Sequence, residues 1–82
     1  MSEKIKLSQK PDLSSLKESW GSPLVAREEV DKFSGGVLNP RTMANLDYAT
    51  EGPKGRIRIG RKIVYYTDSL IAWMEERASE IG

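Results

Sequence analysis

Five cations, Lys54, Arg56, Arg58, Arg61 and Lys62, lie within the run PKGRIRIGRKIVYY (53–66), which holds no acidic residue. Cations at this density, alternating with apolar residues and broken by a glycine, suit repeated contact with phosphate oxygens. Charged residues also guard sheet edges against pairing, but edge protection does not need so many cations and no anion. Directly ahead stands NPRTMANLDYATE (39–51), which carries Arg41, Thr42 and Asn45. Arginine pairs bidentately with guanine and asparagine with adenine, while threonine meets a phosphate or a thymine methyl. Tyr48 extends this row, as a further contact or as a ring covering the edge of the core. Asp47 breaks it, since it would either accept from cytosine N4 or repel the backbone. All of this is binding chemistry. Histidine and cysteine are absent, which removes the usual general base near neutral pH, the thiol nucleophile, the thiolate metal site and the disulfide. No acid, base and nucleophile converge, and Glu75 and Glu76 read as a solvated helix face. The chain is expected to be no enzyme and to carry no metal and no cofactor.

The elements that position these residues follow from local signals. In DLSSLKESW, Leu13, Leu16 and Trp20 form one stripe of a short helix, ended by Gly21 and Pro23, which either lids the core through Trp20 or serves as a partner-binding arm. In PLVAREEVDKFSGG, Ala26, Val30, Phe33 and Val37 recur at helical spacing with Glu28 and Glu29 in the first turn, so a helix is expected there, stopping at Ser34-Gly35-Gly36. Asn39 is a preferred N-cap and Pro40 a preferred first residue, so a second helix starts at Pro40. Its inner stripe is Met43, Leu46 and Ala49 or Thr50, its open side Arg41, Thr42, Asn45 and Tyr48, and Gly52-Pro53 ends it. The basic run reads as a β-hairpin. A three-residue loop, Gly60-Arg61-Lys62, would set Ile59 opposite Ile63 and Ile57 opposite Tyr65, giving one apolar face and an outer face with Arg56 and Arg58. Thr67 then caps a last helix with Leu70, Trp73, Met74, Ala78 and Ile81 inward.

At 82 residues the chain makes one domain with a small core, and a deep catalytic cleft is not expected. Residues 1–21 form an N-terminal segment, a mobile tail over Met1 to Lys10 followed by the short helix, and residues 22–82 form the domain. The net charge of +1 alone argues against nucleic acid. The acidic residues, however, fall mainly at Glu28, Glu29, Asp31, Glu75, Glu76 and Glu80, outside the hairpin, so the molecule is polarised. No apolar run approaches the roughly 18 residues of a membrane span, and MSEKIKLSQK lacks the apolar core of a signal peptide. A soluble cytoplasmic protein is expected, with no membrane partner.

In order and spacing, LVAREEV with Phe33 and Gly35-Gly36, then NPRTMANL, GP, RIRIGRKIVYY and DSLIAW resemble the excisionase and AlpA-type DNA-binding proteins of the MerR-like superfamily. The resemblance runs from about Leu24 to Glu76. It implies an α+β fold, a small winged helix-turn-helix of order α-α-β-β-α behind a short N-terminal helical extension. It further implies a phage- or mobile-element-type transcription regulator or recombination directionality factor, with the second helix in the major groove and the basic wing on the backbone or minor groove. The DNA-binding residues are then Arg41, Thr42, Asn45, Tyr48, Lys54, Arg56, Arg58, Arg61 and Lys62. The partners would be double-stranded DNA, further copies of the chain on that DNA, and a recombinase or RNA polymerase. Ala26 stands where a Ser or Thr cap is usual, leaving Ser22 or water to satisfy the first amides. The alternative is a protein-interaction adaptor on the same fold, similar to the small terminase subunits of phage packaging, which Asp47 and the near-neutral charge favour.

Overall fold

Backbone hydrogen-bonding potential in the first half of the chain is met by a sheet as well as by helices. The computed structural model describes residues 11–79 and 81. The expectation for Met1 to Lys10 lies outside the described residues. Helix α1 (Ser15–Trp20) leads to strand β1 (Leu24–Ala26), a 3₁₀ turn (Arg27–Glu29), α2 (Val30–Phe33), α3 (Pro40–Tyr48), β2 (Ile57–Ile59), β3 (Lys62–Tyr66) and α4 (Thr67–Arg77). Among the described residues the architecture is a small α+β domain of four α-helices and a three-stranded antiparallel sheet, ordered β1-β3-β2.

Strand β1 corrects the expected continuous helix from Pro23. Ala26 and Val30 are spaced as a helix would space them, but so short an apolar run is equally a strand. Pairing decides the matter: Leu24 faces Tyr66, Val25 faces Tyr65 and Ala26 faces Val64. The helix keeps only Val30–Phe33, and Val37 is left exposed. The Ser22 hydroxyl accepts from the Leu24 amide at 3.2 Å, the first amide of β1, and so satisfies a strand rather than the helix start expected of it; neither the 3₁₀ turn nor α2 has a side-chain cap.

The hairpin register is also a correction. Arg58 faces Ile63 and Ile59 faces Lys62, which leaves a two-residue turn of Gly60 and Arg61. Gly60 has φ +63°, as the first central position of a type II′ turn requires, and that turn matches the twist of the strands where a type I or II turn would splay them. The expected apolar pairs gave way because β3 is central, with Val64 and Tyr65 both buried on opposite faces, so alternation no longer identifies the core side.

The core gathers Val25, Val30, Phe33, Met43, Tyr65, Leu70 and Ile71, with Leu13, Leu16, Trp20, Leu46, Trp73 and Met74 packed against it. Trp20 meets Phe33 edge-on with centroids 5.6 Å apart and donates its indole N–H to the Leu24 carbonyl at 2.8 Å, so α1 does lid the core. Two details of α4 differ from expectation. The Thr67 hydroxyl donates to the Ser22 carbonyl at 2.7 Å and forms no cap, and the helix ends at Arg77, leaving Ile81 exposed beyond it.

Helix α3 ends before Gly52-Pro53, in a Schellman arrangement. The Glu51 amide donates to the Leu46 carbonyl at 2.8 Å and the Thr50 amide to the Asp47 carbonyl at 3.0 Å, with Thr50 at φ +59°. A β-branched residue is strained in that region, where glycine is not. Thr50→Gly is therefore expected to stabilise the fold by about 0.5–1 kcal/mol, the left-handed strain relieved less the glycine's extra unfolded-state entropy. A denaturant melt checks this; equal or lower stability would locate the helix stop elsewhere.

Candidate nucleic-acid interface

Helix α3 is set by its ends. The Asn39 side chain accepts from the Thr42 amide at 2.9 Å and Pro40 is the first helical residue, as the sequence implies. Met43 and Asp47, one helical turn apart, point inward, while Arg41, Thr42, Asn45 and Tyr48 are all exposed, Tyr48 at 93%. Neither Ala49 nor Thr50 belongs to the inner stripe; both are exposed.

The hairpin lies along this helix. Arg61 and Lys62 share a cleft with Pro40 at the start of α3, and Arg56 and Arg58 share a second with Ala44 and Tyr48 near its end. Among the described residues Arg41, Lys54, Arg58 and Arg61 are exposed and form no ion pair, whereas two of the expected contacts are engaged within the molecule. Lys62 pairs with Glu28 at 2.5 Å, and Arg56 lies 3.9 Å from one Asp47 oxygen and donates to the Asp47 carbonyl at 3.4 Å. The structure thus places eight of the nine sequence-selected residues on α3, the hairpin and the residue leading into it, whereas Lys54 lines a separate cleft with Ser69, Ala72 and Trp73 of α4.

Asp47 is corrected from a surface group to a buried one, 3% exposed. Its Oδ2 accepts from Arg27 Nη2 at 2.6 Å and from the Tyr65 hydroxyl at 2.5 Å, and Arg27 Nε donates to that same hydroxyl at 3.1 Å. It is therefore out of reach of cytosine. Burial and the bond to Asp47, only partly opposed by Arg27, push Tyr65 up to about 12. Burial disfavours the Arg27 charge, but its bonds to Tyr65 and Asp47 outweigh that and shift it upward. Gly52 closes over the site, because a Cβ there would collide with the Asp47 carboxylate.

Sequence reasoning missed Arg27 and Tyr65 as partners. The available signal was the helical spacing of Met43 and Asp47, since a carboxylate on a core-facing stripe needs a buried cation. Among the described residues no cluster of His, Cys, Asp or Glu could hold a metal, and no helix is long and apolar enough to cross a membrane. No family model, curated protein or solved structure matches the chain.

Asp47→Asn is expected to cost about 2–4 kcal/mol, less than the most for breaking a buried pair because Arg27 keeps 24% of its side chain in water. Tyr65→Phe should cost about 1 kcal/mol at neutral pH. Because the Tyr65 value is raised from 10 to about 12, its contribution is whole below pH 10 and is lost as pH climbs from 10 through 12. Stability measured against pH for wild type and Tyr65→Phe should therefore converge across that window. Parallel curves would remove Tyr65 from the network.

Proposed function

We propose that this chain is a small winged helix-turn-helix protein that binds duplex DNA without catalysis. On this reading α3 enters the major groove with Arg41, Thr42 and Asn45 toward base edges, and the β2-β3 hairpin is the wing that holds the backbone. What carries the reading is the hairpin free of acidic residues, lying against a helix whose open side bears Arg41, Thr42, Asn45 and Tyr48. Two carboxylates beside this surface are occupied, Asp47 by Arg27 and Glu28 by Lys62, so these two do not face a phosphate unpaired. The excisionase and AlpA-type resemblance points the same way and suggests a regulator or directionality factor in the cytoplasm. So small a surface needs repeated or paired sites for tight binding. The sheet, with β1 added, is compatible with a winged helix.

Salt and sequence separate the two parts. Arg58→Gln and Arg61→Gln should each weaken binding to every duplex and lower the slope of log affinity against log salt by about 0.9. Asn45→Ala should leave that slope nearly unchanged and lose about 1–3 kcal/mol of discrimination at one base position. The check is a salt titration of each variant on a selected site and on a scrambled one. Equal behaviour of wing and helix variants, or no binding by wild type at low salt, would replace this reading with that of a protein adaptor.

A further inference from the structure

The two-residue turn has put an isoleucine in water. Ile59, 52% exposed, is the last residue of β2, opposite Lys62, on the sheet face that also carries Val64 and Tyr66. After it come Gly60, whose Cβ position has open space around it, and the exposed Arg61. Arg58 and Arg61, on either side of Ile59 in sequence, have no ion-pair partner among the described residues. A lone exposed apolar residue is ordinary on a protein surface. At the tip of a narrow ribbon, with Arg58 before it on the opposite face of β2 and Arg61 after it in the turn, both unpaired, it has the composition of a groove-entering wedge.

We propose that Ile59 is an apolar wedge that enters the minor groove of duplex DNA and kinks it at one base-pair step, while Arg58 and Arg61 hold the flanking phosphates. The inference rests on the DNA-binding reading and goes beyond it in naming a deformation. Charge selects this occupant. The minor groove carries enhanced negative potential where it is narrow and draws arginine, and inserted Ile, Leu or Phe side chains partly unstack the step they meet. A II′ turn makes the tip as slender as a hairpin allows, and Gly60 adds no side chain to it. An isoleucine has no donor or acceptor, so it cannot read the groove's polar pattern. Its preference falls on steps that unstack readily, the pyrimidine–purine steps TA and CA/TG.

The test uses the full chain and end-labelled duplexes of about 30 base pairs, short against the duplex persistence length, bearing a site selected from a random pool. Energy transfer between the ends reports the bend. Wild type should bend the duplex by roughly 20–90°. Ile59→Ser should remove more than half of that bend with no more than about a tenfold loss of affinity, the worth of one half-buried apolar contact. Arg61→Gln should do the reverse, weakening binding and the salt slope while the remaining complex stays bent. A mismatch at a TA step beneath the wing should tighten wild type more than Ile59→Ser. The side chain is already exposed, so an unchanged melt will show that Ile59→Ser is folded. A straight duplex with wild type, or an equal bend with Ile59→Ser, overturns the wedge and leaves DNA binding standing. Failure of wild type to bind any duplex overturns both, and a change in self-association of Ile59→Ser in that case would assign Ile59 to a protein contact.

Discussion

The buried carboxylate of Asp47 constrains how α3 can sit, and most of what the surface presents follows from it. A helix of nine residues is too short to hold itself in water, so its place must come from tertiary contacts. Met43 and Leu46 supply apolar contact, which tolerates rotation about the helix axis. The bonds from Arg27 in the 3₁₀ turn and Tyr65 in β3 do not, because each requires a donor within about 3 Å at a suitable angle. They join two sequence-distant elements to one side of α3 and so direct Arg41, Thr42, Asn45 and Tyr48 outward. Buried ion pairs often add little net stability compared with apolar replacements. For this chain, the hypothesis that the pair fixes orientation is the better account of its presence, and mobility of α3 in a pair-deleted but folded variant is its measure.

The same network explains how a molecule of net charge +1 presents a basic surface. Asp47 is withdrawn into the interior and enclosed by Arg27, with Arg56 at its edge, and Glu28 is engaged by Lys62. Lys17 and Asp68 pair elsewhere, on α1 and α4. Arg41 on α3 and Arg58 and Arg61 on the hairpin are exposed and unpaired among the described residues, while Lys54 lines a cleft against α4. The Lys62–Glu28 pair joins two side chains that are each more than half exposed, so solvent screening keeps it weak, and Lys62 could exchange Glu28 for a phosphate at small expense.

Local chemistry was legible in the sequence where one residue suffices to decide it. Asn39-Pro40 set the start of α3, Gly35-Gly36 the end of α2, and Leu13, Leu16 and Trp20 the inward side of the N-terminal helix. The open row of α3 follows from period alone. What escaped was decided by partners distant in sequence. Leu24–Ala26 is a strand because β3 lies beside it, Thr67 is diverted to the Ser22 carbonyl, and Asp47 is interior because Arg27 and Tyr65 can reach it. Thr50 in place of the expected glycine stop shows the same thing at a single residue, since the strain there is carried by the bonds of Glu51 and Thr50 back into the helix.

The hairpin register sets which side chains of β2 meet α3 and which meet solvent. With a three-residue loop, Ile57 would lie on the Tyr65 face, and Arg58, offset by one residue, would lie on the opposite one. With Gly60-Arg61 as the turn, Arg58 and Ile63 share the Tyr65 face, which is turned toward α3, and Arg58 accordingly lines a cleft with Ala44 and Tyr48. The cation is thereby brought beside the open row of the helix. Alternation leaves no freedom about the consequence: if Arg58 faces α3, its neighbour Ile59 must face away, and at the last position of β2 it meets solvent. The exposure of Ile59 and the alignment of Arg58 are therefore one structural choice, made by a glycine that permits the II′ turn.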